Sequence, residues 1–381
     1  MTKRTIAVFT GKRGGFGAML GIMNRIQGDP GMRLKIIVSD MHLNPTFGNT
    51  VNEVSRSFAV DARIDMGSYG DAPQDRAQAL GTCICKLAPV LEEIRPDILL
   101  LLGDRGETLA AAMCAAELGI VIAHIQAGDI SGGLDDIHRH AITKLSHLHF
   151  SQNERQRQRV IRLGEYPDRV WNTGAPYIDN ILNGSFPVPD EALGELGLPR
   201  DIRYFVTLHH SDSYRPWLSY EHMRAILEAL KEREEHAIVI YPCSDPGYGG
   251  IIQAIGENKD HPRFHVFESV DALTFLGLLR GARALVGNSS SGIIEAPYLR
   301  VPFINVGLRQ DGREKAANVI CCEGNVDDIR KALKAFEDPG FIAGMEADHQ
   351  PFGDGHACAR IFDVLKTVEI SPEFFRKRIA Y

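Results

Sequence analysis

DILLLLGDRGETLAAAMCAAELGIVIAHIQAGDISGGLDDIHRHAITKLSHLHF, residues Asp97 to Phe150, decides the fold. It opens with an apolar run, Ile98 to Leu102, of the length of a buried parallel strand, and stops at Gly103-Asp104-Arg105-Gly106-Glu107. An alanine-rich segment of high helical propensity follows, Thr108 to Leu118. A second apolar run, Ile120 to Ile125, ends in Gln126-Ala127-Gly128-Asp129. Strand, helix and strand make a βαβ unit. Its two polar turns fall at the carboxyl ends of parallel strands, the side on which open α/β sheets bind ligands. Asp104, Arg105, Asp129, Asp135, Asp136, His138, Arg139 and His140 crowd into or just after those turns. Titratable groups gathered at such a place are the raw material of acid–base chemistry. Capping competes for some of them, with Asp135 and Asp136 ahead of a helix expected over Ile137 to Leu145.

The same alternation extends in both directions. Upstream, Thr5 to Phe9 reads as a strand feeding Thr10-Gly11-Lys12-Arg13-Gly14-Gly15-Phe16-Gly17, then a helix over Ala18 to Ile26. Glycines at a strand-to-helix turn admit a ligand, and a helix start favours anions. Leu20 stands where the third glycine of GxGxxG belongs, so the turn departs from the dinucleotide pattern. Leu34 to Val38 is a strand, 44–66 an irregular stretch with a helix and short strand, and Pro73 to Arg95 a long helix. Ser151 to Leu163 reads as a surface helix and Val170 to Asn172 as a strand. Pro187, Pro189 and Pro199 mark a linker over Asn183 to Asp201. Strands then recur at Tyr204 to Leu208, Ala237 to Tyr241, Phe264 to Phe267, Ala284 to Val286 and Pro302 to Val306, with helices between, one of them Gly292 to Leu299. The fold class is therefore α/β, with two doubly wound halves: 1–184, 185–365, and a helical tail, 366–381, packing back on the first. Ala357 to Ile370 and Pro372 to Arg378 are the helices expected at that end.

Bulk properties narrow the class. A chain of 381 residues exceeds one ordinary core. Its 44% hydrophobic and 24% charged content is that of a globular protein, and its net charge of −7 leaves no basic footprint for nucleic acid. Seven cysteines without a CxxC pair suit reduced thiols and a cytoplasmic location better than a disulfide framework or a zinc site. Ile6 to Phe9 is too short for a secretory apolar region, and no run approaches a membrane span. His147 and His149 share one face of an expected strand, but no metal is expected there.

The second half has its own anchor, Gly287-Asn288-Ser289-Ser290-Ser291-Gly292-Ile293-Ile294-Glu295. It follows a strand and opens a helix, so hydroxyls and free N–H groups form a cradle for a diphosphate, with Glu295 one turn on to accept ribose hydroxyls. Arg309 and Arg313 add positive charge after the next strand. His209 and His210 stand at another strand end, where imidazole can neutralise a departing phosphate.

Together GDRGE, HIQAGDISGGLDD, RHAITKLSHLHF, GNSSSGIIEA and GLRQDGRE resemble the hydrolysing UDP-N-acetylglucosamine 2-epimerases, which feed sialic, legionaminic and related nonulosonic acid synthesis. The resemblance spans nearly the whole chain. It implies two Rossmann-like domains of the glycosyltransferase-B type with the active site in the cleft between them. It implies that a UDP-linked 2-acetamido sugar, or a GDP-linked one, loses its nucleoside diphosphate and leaves as the free sugar with C2 inverted. No cofactor is implied, and a homodimer or homotetramer is. By matching motifs, Arg13, Ser289, Ser290, Ser291 and Gly292 hold the diphosphate, Glu295 the ribose, and Arg309 and Arg313 support the nucleotide. Asp104, Asp135 and His209 are the implied catalytic groups, with Arg105 and Arg139 beside them, two guanidiniums whose chemistry suits phosphate or sugar oxygens. Where the family carries Glu in its HIE loop this chain has Gln126, a substrate-binding candidate whose amide takes no proton; either Asp129, three residues on, takes over as a catalytic group or the position serves no base in this subgroup. The alternatives are a non-hydrolysing epimerase, a glycosyltransferase of the same fold, and an inactive nucleotide-sugar sensor.

Overall fold

β-Branched and leucine-rich runs with no polar interruption can be satisfied only inside a sheet covered on both faces. The computed structural model, which describes residues 3–67, 70–347 and 351–380, builds two such sheets. The first comprises β1 (Arg4–Thr10), β2 (Met32–Ser39), β3 (Ala62–Ile64), β4 (Ile98–Leu102), β5 (Val121–Ile125), β6 (Leu148–Ser151) and β7 (Val170–Asn172). The second comprises β8 (Tyr204–Leu208), β9 (His236–Ile240), β10 (Phe264–Phe267), β11 (Leu285–Gly287), β12 (Phe303–Val306) and β13 (Val319–Cys322). The spatial orders are β3-β2-β1-β4-β5-β6-β7 and β10-β9-β8-β11-β12-β13, with every pairing parallel. In each sheet the order of strand addition reverses once, between β1 and β4 and between β8 and β11. A doubly wound sheet opens its ligand crevice at that reversal.

Each sheet separates two apolar layers. Ile6, Val8, Leu100 and Ile125 face one core of the first half, and Ala7, Phe9, Leu99 and Leu101 face the other. In the second half Val206, Ile238 and Leu285 lie opposite Phe205, Val239 and Val286.

The element boundaries of the central unit stand close to expectation, and the differences have physical causes. The first helix begins at Arg13, not Ala18, and two of its glycines sit against close neighbours. A Cβ on Gly17 would stand 2.5 Å from the Ala272 methyl of the second half, and one on Gly21 would stand 2.8 Å from Cys358 Sγ. The helix over Leu134–Leu145 starts three residues early, so Asp135 and Asp136 occupy its first turn. The helix expected over Gly292 to Leu299 is only Ser291–Ile294 before turns take over ahead of the Arg300 bend, where φ is +56°. The strand β13 and helices Val326–Ala335 and Pro339–Ala347 fill a stretch that the sequence reading left unassigned.

The chain returns to the first half well before 366. Helix Ala357–Thr367 buries Cys358, Ile361 and Leu365 beside Phe16, Met19 and Ile22 of the first helix. Pro372 to Arg378 forms turns and no helix. A seven-residue segment is too short to be helical on its own account. Its side chains hold it down: Lys377 donates to Glu165 and to the Thr143 carbonyl, Phe374 stacks on His147 at 6.1 Å between ring centroids, and Arg169 lies over Phe374. His147 and His149 are thereby engaged separately, for His149 Nε2 bonds Glu165 at 3.1 Å while His147 Nδ1 accepts the Ile122 N–H at 3.1 Å.

Because the returning helix completes the first core, Leu365→Ala should lower first-half stability by about 2–5 kcal/mol. Urea unfolding followed by Trp171 fluorescence in a Trp217→Phe background measures it. An unchanged midpoint would mean that the helix is merely apposed.

Candidate active site

The carboxyl edges of the two sheets face one another. A cavity between them is lined by Lys12 and Arg13 from the turn after β1, His210 from the turn after β8, Ser289, Ser290 and Ser291 after β11, and Glu295. Tyr177, Tyr241 and Phe275 supply apolar walls. Arg13 is fixed from the second half, with Nη1 donating to Ser269 Oγ at 3.2 Å and its guanidinium 5.7 Å from the Phe275 ring centroid. A cationic turn opposed to a hydroxyl-rich turn, with aromatic walls, has the chemistry to receive a phosphorylated ligand.

Beside the cavity lies a buried lattice of charge. Arg139, fully buried, donates to Asp104, to Asp136 Oδ1 at 2.6 Å, to the Asp129 carbonyl at 3.0 Å and to Ser131 Oγ at 3.3 Å. From the second half, Arg309 Nη2 lies 3.3 Å from Asp135 Oδ2, while its Nη1 donates at 3.4 Å to the Asn288 carbonyl that begins the serine turn. One guanidinium thus spans the acidic cluster of one half and the hydroxyl cradle of the other. Arg313 makes a second crossing, 2.9 Å from Asp129 Oδ2. Arg105 makes a third, pairing with Asp245 and donating to Ser244 Oγ at 2.7 Å while holding Asp40 and Glu107 of its own half at 3.3 Å.

These surroundings drive the two carboxyls apart. Burial opposes ionisation of Asp104, but Arg139, with Lys12, Arg313 and Arg309 behind it, outweighs burial and holds the group well below the usual carboxylate range. Asp135 moves the other way, raised by burial and then by the negative charge of Asp104. Neighbouring acids with opposite displacements are suited to opposite proton-transfer roles. Burial also raises Glu295 to about 7, against the pull of Ser291 and Arg13. His210 is held neutral by burial and then by Arg309; its Nδ1 accepts the Cys243 N–H at 3.0 Å, which assigns the ring proton to Nε2.

A family model described as UDP-N-acetylglucosamine 2-epimerase matches residues 24–366. The chain belongs to this epimerase family. It is 32% identical over 379 residues to the UDP-N,N'-diacetylbacillosamine 2-epimerase (hydrolyzing) of Legionella pneumophila, covering 99% of this chain and 100% of that one. It is 32% identical over 331 residues to the UDP-N-acetylglucosamine 2-epimerase of Neisseria meningitidis, covering 87% of each. Among solved structures, the Methanocaldococcus jannaschii UDP-GlcNAc 2-epimerase in complex with UDP-GlcNAc and UDP superposes with a TM-score of 0.78 at 18% identity, covering 95% of this chain and 99% of that one. The two-sheet arrangement is the glycosyltransferase-B-like fold of those epimerase structures. Among the described residues no helix is long and apolar enough to cross a membrane.

Set against this epimerase frame, the expected site residues divide. Arg13, Ser289, Ser290, Ser291 and Glu295 line one cavity. Asp104 and Asp135 both belong to the adjoining lattice, the first held by Arg139 and the second by Arg309. Gly292 faces inward, where a Cβ would stand 2.3 Å from the Phe303 ring, so its part is packing. Arg105 and Arg139 were expected beside phosphate or sugar oxygens. Both are buried struts, because an unpaired guanidinium at such depth costs more than the pairings that neutralise it. Asp129 is a strut too: Gln126 Nε2 at 3.2 Å, Gln156 Nε2 at 3.1 Å, the Ile130 N–H at 2.9 Å and Arg313 occupy its oxygens. His209 packs against His222 beneath the cavity, with centroids 5.7 Å apart, while the neighbouring His210 reaches the lining. Sequence reasoning passed over Asp40 and Asp245, although both follow strand ends on the same edge as the residues it chose.

Glu295 supplies a pH signature. Its raised value means that the folded state keeps a proton the unfolded chain has lost, so stability from this group is present at low pH and disappears as pH rises through about 7. Glu295→Gln should therefore gain melting temperature relative to the parent between pH 5 and pH 8. A difference that stays constant across that range would show the carboxyl to be unperturbed.

Proposed function

We propose that this chain is a hydrolysing 2-epimerase: it eliminates the nucleoside diphosphate from a UDP-linked 2-acetamido sugar, passes through a glycal, and releases the free sugar with C2 inverted. The observation that carries this reading is Arg309, which joins the serine cradle to Asp135 and so puts a diphosphate site next to two carboxyls of opposite bias. The full-length similarity to the Legionella pneumophila hydrolysing enzyme supports the hydrolytic outcome.

The C2 hydrogen of an N-acetylated sugar is too weak an acid for a carboxylate to remove unaided. If the C1–O bond breaks first, the electron pair leaves with the diphosphate, an oxocarbenium-like centre forms, and the C2 hydrogen becomes acidic. Arg13, the Nε2–H of His210 and Ser289 to Ser291 receive the departing charge, which is where preorganised donors contribute most. Asp104, held ionised, takes the C2 proton to give the glycal. Asp135, biased towards its protonated form, returns a proton to C2 from the opposite face while water adds its oxygen at C1 and gives up its surplus proton to solvent. Asp104 then yields its proton to solvent and Asp135 is reprotonated from it. Glu295 accepts hydrogen bonds from the ribose hydroxyls.

NMR analysis of products from UDP-N-acetylglucosamine, its 2,4-diacetamido-2,4,6-trideoxy counterpart and the GDP-linked analogues tests the assignment. Free C2-inverted sugar plus nucleoside diphosphate is expected; a UDP-linked C2 epimer as the sole product would make the chain a non-hydrolysing epimerase. Asp104→Asn and Asp135→Asn should each reduce turnover by about 10²–10⁴-fold while leaving UDP affinity, by calorimetry, within a few-fold. Near-normal turnover in both variants would discard the two assignments. Product formed in heavy water should carry one deuterium at C2, and protium retained there would rule out the glycal.

A further inference from the structure

Tyr177 belongs to none of the motifs above, yet its position is tightly determined. It sits on the short helix Pro176–Leu182 that follows β7. Two neighbours on that helix tie it down. Asp179 accepts the N–H groups of Ala357 at 2.9 Å and Cys358 at 2.7 Å, and Asn180 Nδ2 donates to the Gly17 carbonyl at 2.8 Å. The Tyr177 ring packs against apolar layers of both halves, so it stands at the seam. It lines the same cavity as Arg13, Ser289, Ser290 and Glu295. Burial, and then the charges of Glu295 and Asp104, bear on its hydroxyl, with Arg313 opposing them. Tyr177 is half-buried, and among the described residues its hydroxyl makes no hydrogen bond to protein, which leaves it available to a ligand in the cavity.

We propose that the Tyr177 hydroxyl is a catalytic group for diphosphate departure, donating a hydrogen bond to the oxygen that links sugar C1 to the diphosphate as that bond breaks. This rests on the elimination reading above. A phenol suits the task where a cation or a carboxyl would not. Burial and the surrounding negative charge keep it protonated, so it remains a donor and does not compete with Asp104 for the C2 proton. No proton is transferred in the step: the C1–O electron pair leaves with the diphosphate, and the hydrogen bond donated by the phenol shortens as negative charge develops on the linking oxygen.

The test separates the two half-reactions. With UDP-N-acetylglucosamine, Tyr177→Phe should lower kcat by about 10²-fold, the size of effect seen on removing one such donor. UDP affinity should stay within threefold, since the ring and the cradle are unchanged. Hydration of 2-acetamidoglucal in the presence of UDP should also stay within threefold, because no C1–O bond to phosphate breaks there. If Phe at this position unfolds the protein, Tyr177→Met is expected to show the same split. Unchanged kcat, equal slowing of both half-reactions, or a loss of UDP binding that accounts for the slowing would each overturn the assignment. A wild-type enzyme that releases UDP from none of the nucleotide sugars tested would overturn the elimination reading itself, and this one with it.

Discussion

Buried charge shared between the halves is the constraint from which the rest follows. Asp104 and Asp129 of the first half are buried and Asp135 is half-buried, and two of the cations that answer them, Arg309 and Arg313, come from the second. In return, Asp245 of the second half is held ionised, against burial, by Arg105 of the first and by Arg309. A buried ion stripped of its partner is strongly unfavourable, whereas a paired one is tolerated. Neither edge is therefore electrostatically complete alone. The halves meet through charges, and those charges sit at the sheet edges where doubly wound folds hold ligands. The contact that closes the cleft also sets the ionisation of its acids.

The glycines follow from the same closeness. Gly17 lets the first helix touch the helix that begins at Ala272, and Gly21 lets it touch the returning C-terminal helix. That returning helix belongs to the first core by packing and to the end of the chain by sequence. Asp179, which receives its leading N–H groups, stands two residues from Tyr177. The strap across the two halves and the wall of the cavity are thus one construction.

What the sequence made legible was whatever rests on local pattern. Ile98 to Leu102 and Tyr204 to Leu208 can be nothing but buried strands, and the polar turns after them can lie only at one edge. The serine turn and Glu295 are consecutive, so their joint presence on a cavity wall was readable too. Partner choice across the cleft was not. Arg105 and Arg139 look like phosphate ligands in a string of letters, because nothing local reveals that Asp245, 140 positions away, and Asp104, 35 away, occupy them. His209 and His210 are indistinguishable by composition; only the turn of the backbone after β8 sends one beneath the cavity and the other into it. Lys377 illustrates the limit at its strongest, since a tail with helical composition is held flat by one ammonium inserted against Glu165.

Gln126 ties these strands of argument together. With φ at +70°, it is held in a conformation uncommon for a side-chain-bearing residue, and its amide donates to Asp129. A carboxylate in place of that amide would face Asp129 directly, two like charges about a hydrogen bond apart, and would compete for Arg313. The amide removes that repulsion and leaves Arg313 free to bind across the cleft. Gln126 thus helps to hold Asp129, both of whose oxygens are engaged, as an anchor for the second half. On the proposed mechanism the proton traffic then falls to the pair that the lattice has already driven apart, Asp104 and Asp135.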